Sequence, residues 1–266
     1  MDRTPVVFIH GAWMHALSWE AWAKRFARRG FLPFAPGWPG EQATAYDERR
    51  RPGTFADLGL DALTDHYTAI VRSFDLAPVI VGHSVGGLIA QHLIGLDIGR
   101  AAVAIAPAPI TGVPFPANPL GSTSPSDAGD HLVLLSAEQF HRVLANTEDE
   151  EQAHRLFERY ALPAPRRVLT DLCRAGAARS SRARADTGSA GRGPLLLVSG
   201  QEDRLVPDSV TRAVYKQYGD STAVTDLKQF PDRGHSLVID SGWRQVADHV
   251  LGWLEANGIR AHSAEG

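Results

Sequence analysis

A serine flanked by glycines lies between two predicted secondary-structure elements. The segment Gly82-His83-Ser84-Val85-Gly86 follows the apolar run Val79–Val81 and precedes a helical pattern that begins near Val85. Glycines at these spacings allow a sharp strand-to-helix turn to close and to expose the serine hydroxyl. The first amides of the following helix favour negative charge at the turn. The pattern predicts that Ser84 is a nucleophile; the alternative is a glycine-rich turn before an ordinary helix.

A serine hydroxyl is a weak nucleophile at neutral pH and needs a base within hydrogen-bond reach. His235 lies directly after the last predicted strand, in the segment Phe230–Ser236. A loop at that place can hold a side chain over the centre of the sheet, and imidazole has a suitable pKa. His235 also follows both Ser84 and a candidate acid in chain order, so we predict that it is the base rather than a surface-loop histidine.

The base needs an acid that accepts its Nδ1–H and fixes its tautomer. Asp203 ends the segment Gly200-Gln201-Glu202-Asp203, which follows another predicted strand. We predict that Asp203 is this acid. Its neighbour Glu202 is a rival for the same role, and a turn-forming aspartate without a catalytic role is the other alternative.

The first predicted strand ends in His10-Gly11-Ala12-Trp13. The oxyanion formed in acyl transfer needs two backbone N–H donors. One is expected from Val85, the residue after the nucleophile, and the other from Ala12, with Trp13 as the second choice. A simple strand-ending turn is the alternative. His10 is predicted to be a structural hydrogen-bonding residue.

Short apolar runs alternate with longer helical patterns along most of the chain. The runs predicted as buried strands are Val6–Ile9, Phe31–Ala35, Val79–Val81, Ala101–Ala106, Leu195–Val198 and Val224–Phe230. The helical patterns between them are Trp19–Arg28, Leu63–Phe74, Val85–Ile94, Ser209–Gln217 and Trp243–Glu255. This alternation predicts an α/β fold with a mostly parallel, doubly wound sheet. Ligands bind beyond the carboxyl ends of such strands, where each motif above falls.

The alternation stops between Pro107 and Gly193, which predicts a core of residues 1–107 and 194–266 with a helical cap or lid of residues 108–193. Two helices, Ser136–Ala145 and Thr147–Tyr160, are predicted there, each opened by a capping box. The arginine-rich stretch from Arg174 to Gly193 is predicted to be a mobile loop. Four aromatic residues are candidates for the substrate pocket: Trp13, Trp38, Phe115 and Phe140. Trp19 and Trp22, at helical spacing, are predicted to pack in the core.

Composition narrows the possible functions. The 266 residues carry a net charge of -3, which favours neither a nucleic acid nor an anionic membrane as partner. A single cysteine excludes an intramolecular disulfide, and neither a signal peptide nor a membrane span is predicted, so a cytoplasmic protein is expected. The histidines lack metal-ligand spacing and no nucleotide-binding glycine motif is present, so no metal or cofactor is expected. The oligomeric state is not defined.

The segments at His10-Gly11, Gly82–Gly86, Gly200–Asp203 and Gly234-His235 together resemble the α/β-hydrolase superfamily. They most resemble its short bacterial serine esterases and cofactor-free haloperoxidase-like hydrolases, over residues 5–107 and 194–257. The resemblance implies the α/β-hydrolase fold, with the cap inserted after the equivalent of the sixth strand. It also implies by position that Ser84, Asp203 and His235 form the triad and that Ala12 and Val85 are the oxyanion donors.

The resemblance and the triad predict an enzyme that cleaves a small-molecule carboxylic ester, small to medium in size and hydrophobic, through an acyl-enzyme. A lactonase, a carbon–carbon hydrolase or a haloperoxidase-like perhydrolase would use the same triad. A non-catalytic binding protein on the same fold is a further alternative, although such a protein is expected to lack a triad member. Haloalkane dehalogenases and epoxide hydrolases of this superfamily have an aspartate nucleophile, so Ser84 argues against both.

Overall fold

The computed structural model describes residues 3–50, 57–114, 126–127, 131–175 and 182–262. The strands among them are β1 (Pro5–Ile9), β2 (Leu32–Phe34), β3 (Val79–His83), β4 (Ala101–Ile105), β5 (Ser126–Asp127), β6 (Leu132–Leu134), β7 (Ala164–Pro165), β8 (Leu195–Gly200) and β9 (Thr225–Phe230). The helices are α1 (Glu20–Arg28), α2 (Ala45–Arg50), α3 (Leu60–Arg72), α4 (Val85–Gly95), α5 (Ala137–Val143), α6 (Glu150–Tyr160), α7 (Arg166–Ala175), α8 (Asp208–Gln217) and α9 (Trp243–Ala256). A 3-10 turn at Ala16–Trp19 precedes α1.

Six strands form one parallel sheet in the order β2-β1-β3-β4-β8-β9. This arrangement confirms the predicted doubly wound α/β fold. The chain leaves β1 toward β2 on one side and returns to β3 on the other, so the strand order reverses between β1 and β3. The carboxyl ends of these two strands are neighbours, with Ile9 paired to Gly82. A crevice beyond such a reversal is where open α/β sheets bind ligands.

The central strands of the sheet are fully buried. All residues of β1, β3, β4 and β8 are buried, as expected of parallel strands covered by helices on both faces. Helix α4, which joins β3 to β4, is likewise buried along its whole length. The edge strands β2 and β9 are partly exposed. The Ser84 turn therefore joins two elements, β3 and α4, that are buried along their whole length.

An aromatic cluster packs α1 against β1. The Phe8 ring lies 5.0 Å from the Trp19 ring and 5.2 Å from the Phe26 ring. The Trp22 ring packs against the rings of Trp19 and Phe26. The Trp22 Nε1–H also donates to the carbonyl of Val238 at 2.8 Å. These contacts confirm that Trp19 and Trp22 are core residues.

The chain between β4 and β8 contains helices α5, α6 and α7 and an antiparallel sheet in the order β5-β6-β7. The capping box at Ser136 is confirmed: its Oγ accepts from the Gln139 amide, and Gln139 Oε1 accepts from the Ser136 amide. The second predicted box, at Thr147, is wrong. Asp149 caps α6 instead, because its carboxylate accepts from the Gln152 amide at 2.7 Å.

The predicted loop from Arg174 to Gly193 also needs correction at both ends. Arg174 and Ala175 belong to α7. Arg192 is buried, donates to the carbonyls of Gly193 and Val224, and stacks on the Tyr218 ring. These neighbours keep the Arg192 guanidinium packed against the protein and out of solvent. The division into a core and a cap stays a prediction.

In the described part of the chain, no helix is both long enough and apolar enough to cross a membrane.

Candidate active site

Ser84 occupies a strained turn between β3 and α4. Its backbone has φ 54° and ψ -115°, a left-handed conformation that residues with side chains rarely adopt. A Cβ at Gly82 would lie 2.0 Å from the Gly86 carbonyl oxygen, and one at Gly86 would lie 2.2 Å from the Ile9 carbonyl oxygen. Both glycines are therefore required by close backbone packing. The G-x-S-x-G spacing therefore follows from two close contacts: Gly82 lies against the start of α4, and Gly86 lies against β1.

Asp203 and His235 form a buried hydrogen-bonded pair. His235 Nδ1 lies 2.7 Å from Asp203 Oδ2, and neither side chain has exposed surface. The other carboxylate oxygen accepts the amides of Leu205 and Val206, each at 2.8 Å. The carboxylate oxygens only accept hydrogen bonds, so a neutral His235 imidazole carries its proton on Nδ1 and has its lone pair on Nε2.

Glu202 lies beside this pair without joining it. The residue is exposed, and its carbonyl oxygen accepts the Asn146 side-chain amide at 2.9 Å. Its amide donates to the carbonyl of Arg233. Of the two candidate acids, the structure places Asp203 against His235.

The loop after β9 brings His235 to the Ser84 turn through His83. The His83 Nε2 lies 2.9 Å from the His235 carbonyl oxygen, and the two imidazole rings are 4.7 Å apart. His235 Nε2 is buried and has no hydrogen-bond partner among the described residues, so the Ser84 hydroxyl does not bond to it in this conformation. Catalytic hydrogen bonds are often long without substrate and tighten in the substrate complex.

The loop after β1 packs directly against Ser84. A Cβ at Gly11 would lie 2.6 Å from the Ser84 Cβ, so this loop and the serine are in close contact. Trp13 has φ 61°, and its indole Nε1–H donates to the carbonyl of Val133 at 3.0 Å. Val85 is the first residue of α4, a position whose amide has no partner within the helix. The roles of Ala12 and Val85 as oxyanion donors stay a prediction.

A buried polar cluster behind this loop was not found from the sequence. Glu41 Oε2 lies 2.8 Å from His10 Nε2, and Glu41 Oε1 lies 3.2 Å from His15 Nε2 and accepts the Ala16 amide. The Trp38 ring stacks on His10, with the centroids 4.9 Å apart. Burial opposes ionisation of Glu41, but the His10 charge and hydrogen bond, the His15 charge and the Ala16 amide hold its pKa at about 2.

The candidate pocket residues have different surroundings. Trp13 and Trp38 are buried beside the β1 loop. Phe140 has no exposed surface, and its ring packs 5.7 Å from that of Phe157. Phe115 lies outside the described residues. A role for these residues in lining a substrate pocket stays a prediction.

In the ranges that the structure describes, histidines, cysteines and carboxylates form no group of three that could hold a metal ion.

Ser84 therefore lies on a left-handed strand-to-helix turn at the strand-order reversal, and the buried Asp203–His235 pair contacts this turn through His83. The chain belongs to the alpha/beta hydrolase family, whose sequence profile matches residues 6–249.

Solved structures of this fold superpose on nearly the whole chain. A methylesterase from Arabidopsis is 17% identical, with 95% of this chain and 99% of that chain covered and a TM-score of 0.68. Polyneuridine aldehyde esterase is 14% identical over the same shares of the two chains, with a TM-score of 0.70. A pyrethroid hydrolase from Sphingobium faniae is 15% identical, with 95% and 98% covered and a TM-score of 0.64. These similarities show the fold. No curated protein sequence matches the chain.

Proposed function

We propose that the protein is a serine hydrolase that cleaves small to medium hydrophobic carboxylic esters through an acyl-enzyme. The observation that carries the proposal is the fully buried 2.7 Å contact between His235 Nδ1 and Asp203 Oδ2 beside a serine in a left-handed turn. Burial of an acid–imidazole pair costs free energy unless the two groups compensate each other. A binding protein that has lost turnover has no need to keep such a pair.

Acylation starts when Ser84 Oγ attacks the ester carbonyl carbon and its proton passes to His235 Nε2. The carbonyl π electrons move to the oxygen, and the amides of Ala12 and Val85 hydrogen-bond to this oxyanion. When the intermediate collapses, the bond to the alcohol oxygen breaks and His235 returns the proton to that oxygen. The products are the free alcohol and an ester of Ser84.

Deacylation repeats these steps with water in place of the serine. His235 Nε2 takes a proton from water, the hydroxide oxygen attacks the acyl carbon, and the same two amides hold the second oxyanion. Collapse breaks the bond to Ser84 Oγ, which recovers its proton from His235. The carboxylic acid leaves and the enzyme returns to its initial state.

Asp203 serves the cycle by holding His235 in one tautomer. The amides of Leu205 and Val206 fix one carboxylate oxygen, so the other stays directed at Nδ1 through both half-reactions. When His235 takes a proton, the carboxylate stabilises the resulting imidazolium.

The ester class is supported by the fold relatives, which are described as a methylesterase, an esterase and a pyrethroid hydrolase. Those activities are named for those proteins, and we extend ester cleavage to this chain as a proposal. Lactone, carbon–carbon and peracid chemistry would place the same three residues in the same roles.

We also propose that residues 108–193 form a cap over this site. Three hydrogen bonds support the proposal: the Trp13 indole to the Val133 carbonyl, the His15 amide to the Tyr160 carbonyl, and the Ser236 amide to the Leu144 carbonyl. They join the inserted region to the loops that carry the oxyanion donors and the base.

The experiment is hydrolysis of p-nitrophenyl esters of increasing acyl length, with a lactone in the same panel. We expect turnover by the wild type and loss of at least about 10³-fold in Ser84→Ala, because the nucleophile is removed. Ser73→Ala, which removes an exposed hydroxyl on another helix end, is the matched control and should be unaffected. Ester turnover that survives in Ser84→Ala, or activity on the lactone alone, would contradict the proposal.

A further inference from the structure

His83, the residue between Gly82 and Ser84, contacts His235 in two ways. Its Nε2 lies 2.9 Å from the backbone carbonyl oxygen of His235. Its ring also packs against the His235 ring, with the centroids 4.7 Å apart and the planes inclined by 53°. The contacts therefore reach both the backbone and the imidazole of the same residue.

The opposite edge of the His83 ring faces the loop after β1. A Cβ at Gly11 would lie 3.2 Å from His83 Nδ1 and 2.6 Å from the Ser84 Cβ. His83 Nδ1 is buried and has no hydrogen-bond partner among the described residues. A single side chain thus touches the segments that carry the nucleophile, the base and one expected oxyanion donor.

The surroundings keep the His83 ring neutral. Burial lowers the pKa of His83 well below its usual range, and the proximity of the His235 imidazole adds to this effect, against the opposing effect of the bond to the His235 carbonyl. A carbonyl oxygen only accepts hydrogen bonds, so the single ring proton of the neutral imidazole must be on Nε2. Nδ1 is then the unprotonated atom, which agrees with its lack of a partner.

We propose that His83 is a positioning residue for His235: its Nε2–H donates to the His235 carbonyl while its ring supports the His235 imidazole beside the Ser84 hydroxyl. The role of His235 as base rests on the proposed function. The Asp203 bond fixes one edge of the His235 ring, and a ring held at one edge can still tilt about that bond. His83 restrains the backbone and a ring face of the same residue, which limits the tilt that would carry Nε2 away from Ser84.

The kinetic test compares His83→Phe with His83→Gln. Phenylalanine fills the space without a donor, whereas glutamine supplies an N–H donor without an aromatic ring. A misplacement of about 1 Å can cost roughly 10²-fold in rate, so we expect kcat for ester hydrolysis to fall about 10- to 100-fold in His83→Phe with KM nearly unchanged. His83→Gln should recover most of the lost kcat.

The matched control is His92→Phe. His92 is also buried and also lies against a backbone carbonyl, that of Arg184, but on the far part of α4 from Ser84. It should retain the wild-type kcat. A His83→Phe variant as active as the wild type, or equal losses in His83→Phe and His83→Gln, would overturn the positioning role.

A spectroscopic readout separates this proposal from the proposed function. Imidazole ¹⁵N shifts of the wild-type protein should show His83 as the neutral Nε2–H tautomer from about pH 6.5, the usual histidine pKa, to pH 8. The His235 Nδ1 proton should exchange with solvent about 10-fold faster or more in His83→Phe, but not in His83→Gln. A His83 that titrates in this range, or unchanged exchange in His83→Phe, would overturn the inference. The ¹⁵N shifts and exchange rates can be measured even if the wild type hydrolyses no ester. Absence of ester hydrolysis would refute the proposed function and leave the positioning role of His83 intact.

Discussion

Asp203 is tied to the protein by both of its carboxylate oxygens. One oxygen accepts the Leu205 and Val206 amides at 2.8 Å, and the other accepts the His235 Nδ1–H at 2.7 Å. These three N–H donors need an acceptor on both sides of the side chain. A carboxylate has two acceptor oxygens, whereas a side-chain amide has one oxygen and an NH₂ donor. The residue is therefore fixed in chemical type as well as in position.

This geometry predicts the effect of Asp203→Asn. The asparagine oxygen should turn to the two backbone amides, which leaves its NH₂ facing His235 Nδ1 and forces the ring proton onto Nε2. The base then has no lone pair for the Ser84 proton, and kcat should fall about 10⁴-fold, the loss known for the equivalent change in the serine-protease triad. Steady-state kinetics on a p-nitrophenyl ester measure this loss.

Glu202→Gln is the matched control for Asp203→Asn, because it makes the same chemical change at the adjacent, exposed acid. It should leave kcat within about twofold of the wild type, as surface substitutions usually do. If Glu202→Gln is inactive and Asp203→Asn is active, the acid has been wrongly assigned.

At the scale of elements, the loop after β1 is held by a carboxylate from the loop after β2. Glu41 contacts His10 and His15 through its two oxygens and also accepts the amide of Ala16. His10 precedes Gly11, which packs on Ser84, so this cluster supports the loop expected to supply an oxyanion donor. A buried ionised carboxylate requires such partners.

The depressed pKa of Glu41 makes this support dependent on pH. Its pKa falls from 4.5 to about 2 on folding, so the stabilisation is complete above pH 4.5 and is lost as the pH falls toward 2. Glu41→Gln should therefore reduce the free energy of unfolding by about 3 kcal/mol at pH 7. The difference from the wild type should shrink as the pH is lowered from 4.5 to 3, as measured by urea denaturation.

Glu138→Gln, at an exposed position of α5, is the control and should change stability by less than about 0.5 kcal/mol at either pH. A Glu41→Gln variant as stable as the wild type at pH 7, or a difference that grows as the pH falls, would contradict the role given to Glu41.

At the scale of the whole molecule, the fold was accessible from the sequence because parallel strands have a strong local signature. Each predicted core strand overlaps an observed one, and the observed bounds of β3 and β8 extend the predictions by two residues, as far as His83 and Gly200. Buried apolar runs, glycine-containing turns and amphipathic helices are properties of neighbouring residues, which a single sequence displays.

The remaining features depend on contacts between distant residues or on competing local signals. The sequence around Glu41 does not indicate that its carboxylate contacts His10 and His15, which lie far from it in the chain. Strands β5 and β7 have two residues each, too few for a detectable alternation. At α6 the predicted capping box at Thr147 lies two residues before the observed cap, Asp149, whose carboxylate accepts the Gln152 amide.

The proposed mechanism requires that Ser84 becomes acylated during turnover. The most direct measurement is acid quenching of the enzyme within milliseconds of mixing with p-nitrophenyl acetate, followed by mass analysis of the intact protein and its peptides. We expect one acetyl group, carried by Ser84 in the wild type and absent from Ser84→Ala. An acetyl group on a different residue, or continued turnover in Ser84→Ala, would contradict it.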